Sequence, residues 1–226
     1  MALEHERIWS FDAAWPPDDT EVSCLGTNLH QTTIRNLCWG FNEAARLSRT
    51  PGRPLPWTAL GQTLLLGCRR PDGSYYRTFP DVFVYPTEVD LARGSMTVGV
   101  DGPPSLVVEV LSESTFDTDV DHVRGKGYSY ARAGVPEYIA LDPTGQYIAG
   151  VAAWRLAGDR YQAWEPGPDG RWQSEQLPVA IALEGARGAI YLANGKRMLA
   201  EGEVEAALAD KDAEIARLKR LLEGRS

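Results

Sequence analysis

The chain has 226 residues, of which 43% are hydrophobic and 24% are charged, a composition typical of one sizeable globular domain with an appendage, or of two small domains. Its net charge of −8 argues against a broadly basic nucleic-acid-binding surface, yet it leaves room for a small metal site where the ion supplies the positive charge. No apolar run approaches the ~20 residues of a membrane span, and the N-terminus shows no apolar signal core. The three cysteines lack the close spacing of a zinc site, so we expect reduced thiols in a cytoplasmic protein.

The first predicted element is a helix over residues 28–48. His30, Ile34, Leu37 and Phe41 recur at helical spacing along it. The segment "RTPGRPLPW" then ends the pattern with three prolines and a glycine. The 25 or so residues before the helix are rich in Pro, Asp and Trp, and we expect them to form an arm packed on the surface.

The middle of the chain alternates strand patterns with one helix pattern. The runs "QTLLLGCRR" and "YYRTFPDVFVYP", separated by the turn signal "PDGS", predict paired strands. "SLVVEVLS" is a strand pattern, "DTDVDHVRGKGYSYARAG" has the length of a helix that Gly134 caps, and "VPEYIALDP" is again a strand pattern. A strand, a helix and a strand in this order predict a right-handed βαβ crossover within a mixed sheet.

The last third of the chain shows hairpin patterns followed by a helix pattern. After Asp142, hairpin patterns around "AGD" and "PGPDG" predict a peripheral antiparallel extension. The final segment lacks proline and is dense in Ala, Glu, Lys and Leu. It carries a heptad seam of under three heptads, which is too short for a stable free-standing coiled coil but suits a partner helix. The seam positions are Val204, Leu208, Lys211, Ile215, Leu218 and Leu222.

Glu109 interrupts the apolar strand "SLVVEVLS" with a carboxylate. Burying such a charge costs several kcal/mol, roughly, unless a cation, a hydrogen-bond network or a metal compensates it. Because alternate residues of a strand share a face, Glu109 faces the same way as Val107 and Leu111. Asp81 begins another strand upstream, and Lys126 lies in the helix that follows. Two carboxylates with a lysine nearby suit phosphodiester hydrolysis, since the acids bind a hard cation such as Mg²⁺.

At these residues the sequence resembles the Uma-two-type putative restriction endonucleases, a branch of the PD-(D/E)XK nuclease superfamily. The resemblance covers about residues 28–145 and rests on "FPDV", "PPSLVVEVLSEST", Lys126 and "YARAGVPEYIALDP" in that order. It implies a restriction-endonuclease-like α/β core, with a four-stranded mixed sheet flanked by helices. It also implies that Asp81 and Glu109 are metal ligands, and that the backbone carbonyl of Val110 is a further ligand.

The sequence departs from the superfamily pattern in two places. Leu111 replaces the usual lysine two residues after the glutamate, and Lys126 matches the position to which this family moves that lysine. The acid that commonly lies one turn before the lysine falls here on His122, with Asp121 adjacent. Glycines on either side of Lys126 weaken the helix by about 1 kcal/mol each. They either let the backbone approach a ligand or mark a loosened, inactive site.

Each candidate residue also has a purely structural interpretation. Glu109 and Lys126 can form an ion pair without any metal, and Asp81 after a proline can simply start a strand. Lys126 alone is more often a solvated helix residue. His30 is interpreted as a hydrogen-bonded buried histidine rather than a catalytic one. Glu43 is a candidate for the acid that many superfamily members carry on the first helix, but it lies away from the apolar stripe.

The leading prediction is a Mg²⁺-dependent or Mn²⁺-dependent endonuclease that hydrolyses phosphodiester bonds in DNA, with Asp81, Glu109 and Lys126 as catalytic residues. Residues 1–198 are the predicted nuclease-like domain, made of a core over about 28–145 and a hairpin extension over 146–198. Residues 199–226 are a C-terminal helix through which we expect a homodimer. The alternative is a catalytically degenerate, oligomeric binding protein, which the acidic charge and the missing standard lysine favour. A glycosidase with two carboxylates has no motif support.

Overall fold

The computed structural model describes residues 28–69, 75–121 and 125–223. The predicted N-terminal arm lies outside these residues, and so does His122. The turn signal "PDGS" also lies outside them. In chain order the helices and strands of the described residues are α1 (Asn28–Ser48), β1 (Thr58–Gly61), β2 (Leu64–Arg69), β3 (Tyr75–Thr78), β4 (Val82–Tyr85), β5 (Ser95–Thr97), α2 (Val98–Asp101), β6 (Leu106–Val110), α3 (Phe116–Val120), α4 (Lys126–Ala133), β7 (Glu137–Leu141), β8 (Val151–Ala157), β9 (Arg160–Ala163), β10 (Trp172–Gln173), β11 (Val179–Glu184), β12 (Arg187–Leu192) and α5 (Glu201–Glu223).

A mixed sheet of the order β1-β4-β6-β7-β8-β9 forms the centre of the fold. Strands β6 and β7 are parallel neighbours joined through α3 and α4, which is the predicted βαβ unit, and the other adjacent pairs are antiparallel. Helix α4 ends at Gly134, whose φ of 80° is the left-handed conformation that glycine adopts readily. The mixed α/β class with a central mixed sheet is therefore confirmed. The four strands implied for the core correspond to β1, β4, β6 and β7, and the hairpin of β8 and β9 extends this sheet beyond β7.

Each face of the central sheet is covered by a separate apolar layer. On one face α1 packs with its buried Ile34, Leu37 and Phe41, together with the sheet formed by β10, β11 and β12. Helix α1 lies so close to β12 that a Cβ atom added at Gly188 would be 2.6 Å from a methyl carbon of Leu37. On the other face α4 packs with the sheet formed by β3, β2 and β5. Strand β6 therefore has apolar partners on both faces.

The hairpin predictions were right at one turn and wrong at the other. Strands β8 and β9 pair antiparallel around Gly158, as the "AGD" signal predicts. The strands on either side of "PGPDG" do not pair with each other, because β9 joins the central sheet and β10 joins β11. A turn signal marks a reversal of the chain, but it does not show which strands will pair after it.

The C-terminal helix α5 leaves the domain with its apolar seam exposed. Arg197 joins its first turn to the rest of the fold through ion pairs of 2.6 Å with Glu184 and with Glu203. Beyond that turn, Leu208 is 60% exposed and Leu222 is 68% exposed. Within the described ranges, no helix has the length and apolar character needed to cross a membrane.

Candidate functional site

The ends of β4 and β6 bring Asp81 and Glu109 together. Val82 pairs with Val108, and continuing that register by one residue places Asp81 opposite Glu109. Pro80 has no N–H, so regular pairing stops here and side chains complete it. The backbone N–H of Asp81 donates to Oε2 of Glu109 at 3.2 Å, and the N–H of Val110 donates to Oδ2 of Asp81 at 2.8 Å.

The Glu109 carboxylate is fully buried on the α4 face of the sheet, as the strand alternation predicted. Its Oε1 accepts a hydrogen bond from the hydroxyl of Tyr130, and the Tyr130 oxygen lies 3.2 Å from the hydroxyl of Thr78. Burial raises the pKa of Glu109 well above its ordinary value of 4.5, while the ammonium group of Lys126 opposes that shift. The carboxylate is thus held in one orientation at a considerable electrostatic cost.

Lys126 is the first residue of α4, and it lies between two carboxylates. Its Nζ is 3.5 Å from Oε1 of Glu109 and 3.2 Å from Oδ1 of Asp119, a residue of α3. Asp119 is also fully buried, and burial raises its pKa against the opposing effect of Lys126. The three predicted residues Asp81, Glu109 and Lys126 therefore meet in one cluster, and Asp119 joins them.

Asp119 is the site residue that sequence reasoning missed. The expectation pointed to the residues one turn before Lys126, whereas the carboxylate that contacts the lysine lies seven positions before it. The segment "FDTDVD" contains three aspartates at alternate positions, and its letters do not show which of them faces inward. Burial decides between them, because Asp117 is exposed and Asp119 has no exposed surface.

Gly125 explains how α3 and α4 approach closely enough for this contact. A Cβ atom added at Gly125 would lie 2.1 Å from the carbonyl oxygen of Thr118 and 2.8 Å from that of Asp121. Both distances are far shorter than real Cβ contacts. The glycine before Lys126 therefore serves the packing of the two helices, which brings Asp119 next to the lysine.

His30 reaches the cluster from the opposite face of the sheet. Its Nε2 is 2.8 Å from the carbonyl oxygen of Val110 and 3.4 Å from Oδ2 of Asp81. Both neighbours are acceptors, so Nε2 carries the proton. Burial lowers the pKa of His30, but the hydrogen bond to Asp81 and the charge of its carboxylate outweigh burial, and the net effect is a raised pKa. His30 is hydrogen-bonded, as expected, and it also contacts two of the predicted metal ligands.

Glu43 lies apart from the cluster. It pairs with Arg46 on the same helix. With a rise of about 1.5 Å per residue, thirteen positions place it roughly 20 Å along α1 from His30. Glu43 was only a candidate for the acid on the first helix, disfavoured because it lies away from the apolar stripe, and these contacts do not bring it to the cluster.

The donor atoms around Asp81 and Glu109 suit a hard cation. Two carboxylates and the Val110 carbonyl offer oxygen alone, the ligand type that Mg²⁺ prefers. Oε2 of Glu109 accepts a hydrogen bond from the backbone N–H of Asp81, and in the part of the chain that the structure describes the cation beside Glu109, Lys126, contacts Oε1 instead. A divalent ion beside Oε2 would compensate the charge of the carboxylate from that side. Among the described residues, no group of three or more His, Cys, Asp and Glu side chains is arranged to enclose a metal. An ion here would therefore need water or substrate to complete its coordination.

Comparison with known proteins adds a family to this geometry. No curated protein matches the sequence. A crystal structure from Anabaena variabilis, described as a putative nuclease belonging to DUF820, is 13% identical, with a TM-score of 0.44 over 71% of this chain and 81% of that chain. Residues 20–186 match the family Uma2, described as putative restriction endonuclease. Because this match spans most of the 226 residues, the chain belongs to the Uma2 family of putative restriction endonucleases.

Proposed function

We propose that this protein is a metal-dependent endonuclease that hydrolyses phosphodiester bonds in DNA. The observation that supports the proposal best is the contact between Asp81 and Glu109 at the end of β6, with the Lys126 ammonium on the far side of Glu109. Membership of the Uma2 family supports the nuclease class. The ion, the DNA substrate and the catalytic roles are parts of the proposal.

In this proposal Asp81, Glu109 and the Val110 carbonyl hold one Mg²⁺ or Mn²⁺ ion. A divalent cation at that point supplies positive charge for the phosphate and lowers the pKa of nearby water. Tyr130 fixes the rotamer of Glu109 by donating to Oε1. His30 and the Val110 N–H fix Asp81 from two sides, through contacts of 3.4 Å and 2.8 Å to its Oδ2. Such second contacts orient metal ligands and raise their affinity.

Lys126 is the proposed electrostatic stabiliser of the reaction. Its ammonium is 3.5 Å from Glu109, and its side chain is 10% exposed, close to the 13% of Asp81 and the 11% of His30. Glu109 is only 1% exposed, so a phosphate would reach the proposed ion past Asp81, which is 13% exposed. A positive charge in so dry a site acts on a phosphate more strongly than it would in bulk water.

The alternative is a nuclease-fold protein without catalysis, which binds a partner through its tail. The observation that favours it is that Glu109 and Lys126 already satisfy each other inside the protein. A buried ion pair of this kind is stable without a metal, provided both partners stay in place. The two candidate functions differ in one measurable property, which is the affinity for divalent cations.

The decisive experiment combines metal binding with DNA cleavage. Mn²⁺ binding is measured by calorimetry, and nicking of supercoiled plasmid is followed with Mg²⁺, Mn²⁺ or Ca²⁺. We expect Mn²⁺ binding and nicking for the wild type, and loss of both for Asp81→Asn and Glu109→Gln. Glu113→Gln is the matched control, since Glu113 is an exposed carboxylate just beyond β6. Absence of Mn²⁺ binding in the wild type would refute the metal-dependent function and leave the non-catalytic alternative.

We further propose that the protein acts as a homodimer in the cytoplasm. Enzymes that cut both DNA strands often present two sites related by a two-fold axis, and closed two-fold symmetry is the commonest among soluble oligomers. The exposed seam of α5, which includes Leu208, Ile215, Leu218 and Leu222, supports a contact between two tails.

A further inference from the structure

The ammonium group of Lys126 occupies a point between two carboxylates that have no exposed surface. Its Nζ is 3.2 Å from Asp119 and 3.5 Å from Glu109. Hydrogen bonds from the side chains of Thr115 and Lys126 favour the ionised form of Asp119, and the charge of Lys126 opposes the effect of burial more strongly than either bond. The ammonium group of Lys126 is therefore the main compensation for the charge of Asp119. Without a cation here, both carboxylates would be buried without a compensating charge.

The two oxygens of Glu109 face different surroundings. Oε2 lies 3.2 Å from the backbone nitrogen of Asp81, on the side where the proposed metal ligands meet. Oε1 lies on the side of Lys126 and Tyr130. In sites with two metal ions, the ions are about 3.5–4 Å apart and clamp the reacting oxygens from two sides. Here the proposed ion position is at Oε2 of Glu109 and the lysine ammonium is at Oε1, so the carboxylate lies between the two positive charges.

The charges of the cluster also limit the number of ions. In their ionised forms Asp81, Glu109 and Asp119 carry three negative charges, and the ammonium group of Lys126 carries one positive charge. One divalent cation neutralises the remaining two negative charges. A second divalent cation would leave a buried excess of positive charge.

We propose that this site takes a single divalent cation because Lys126 occupies the place of a second one, with Asp119 as the positioning residue that holds Lys126 there. The proposal rests on the metal-dependent function proposed above and adds its stoichiometry. It predicts that removing the lysine opens a second ion position between Glu109 and Asp119.

The test is the number of Mn²⁺ ions bound per full-length chain, measured by calorimetry and by electron paramagnetic resonance. We expect one ion for the wild type, two for Lys126→Ala, and one again for the double variant Lys126→Ala, Asp119→Asn. Lys196→Ala is the matched control, because Lys196 lies in an exposed turn, and it should bind one ion. Two ions in the wild type, or one ion in a folded Lys126→Ala, would overturn the proposal.

Folding of the Lys126→Ala variant adds a second measurement. If this variant is unfolded without metal, circular dichroism should show that Mn²⁺ restores its structure, since an ion takes over the role of the ammonium. Failure of Mn²⁺ to restore it contradicts the proposal. A wild type that binds no Mn²⁺ refutes the metal-dependent function itself, and this inference with it, which is a different result from a wrong stoichiometry.

The positioning role of Asp119 has its own readout. Acetylation of Lys126 by acetic anhydride, followed by mass spectrometry, reports how firmly the ammonium is held. In Asp119→Asn we expect several-fold faster labelling than in the wild type, because a carboxylate that contacts the lysine has lost its charge. Asp117→Asn, an exposed position on the same helix α3, should leave the rate unchanged. Equal labelling of Lys126 in all three proteins would refute the role of Asp119.

Discussion

Replacing Glu109 by glutamine separates a metal ligand from a structural ion pair. The amide keeps the shape of the side chain, and its oxygen can still accept from Tyr130. Lys126 keeps a carboxylate partner, because Asp119 is 3.2 Å from its Nζ. The variant loses the charge that a divalent ion needs, and it also loses a carboxylate whose burial is unfavourable. We therefore expect it to fold, and to melt without metal at the same temperature as the wild type or above it.

The difference in unfolding free energy between Glu109→Gln and the wild type depends on pH. The raised pKa of Glu109 determines the direction of this dependence. A group with a raised pKa in the folded state contributes full stability below its ordinary value of 4.5, and loses that contribution as pH rises through the folded value. Over that interval the titration of Glu109 lowers the unfolding free energy of the wild type by up to about 1.4 kcal/mol per pH unit, and the glutamine variant lacks this contribution. For a chain of this size each kcal/mol corresponds to roughly 2–4 °C in Tm. The Tm of the glutamine variant should therefore rise relative to the Tm of the wild type as pH rises above 4.5.

The assay is thermal unfolding followed by circular dichroism from pH 5 to pH 8, with and without Mn²⁺. The control Glu113→Gln changes an exposed carboxylate outside the cluster and should show no gain in Tm over the wild type. Adding Mn²⁺ should raise the Tm of the wild type and leave Glu109→Gln unchanged, because a ligand stabilises only the protein that binds it. Breaking a buried ion pair costs about 3–5 kcal/mol. A fall in Tm that corresponds to such a loss of unfolding free energy in metal-free Glu109→Gln would refute this reasoning and establish a structural pair with Lys126.

Three further predictions concern the metal ligand, the helix packing and the tail. Asp81→Asn should abolish Mn²⁺ binding in calorimetry. It should change the unfolding free energy by less than about 1 kcal/mol, since an amide oxygen still accepts from the Val110 N–H. Unchanged Mn²⁺ binding would exclude Asp81 as a ligand. Gly125→Ala should destabilise the fold by about 1–3 kcal/mol in urea unfolding, because its Cβ meets a carbonyl oxygen. The control is Gly94→Ala, whose added Cβ meets nothing within 4 Å. Equal stabilities of the two variants would contradict the packing argument. Deleting residues 200–226 should convert the dimer into a monomer, as measured by light scattering. An unchanged dimer would place the interface on the globular domain. A full-length protein that is monomeric at micromolar concentration would disprove the dimer.

Local patterns in the sequence were sufficient for the individual elements nearest the site. Helical spacing gave the helix over residues 28–48 with its buried Ile34, Leu37 and Phe41, as the structure has it. Alternation along the strand correctly placed Glu109 on the face opposite Val108. These features depend on residues only a few positions apart, so the local amino-acid sequence determines them. The order of Asp81, Glu109 and Lys126 also indicated that they would meet, because neighbouring strand ends and the following helix converge in a βαβ unit.

The tertiary structure decided the features that depend on distant pairing. The central sheet extends beyond the four strands of the core because β8 pairs with β7, and no local signal specifies which edge a hairpin joins. Asp119 faces Lys126, while Asp117 two positions earlier stays exposed, because the contact of α3 with α4 buries one side of a short helix. His30 lies beside Asp81 because α1 packs across the end of β6. Burial and pairing are set by contacts between elements, and the sequence encodes them only through the whole fold.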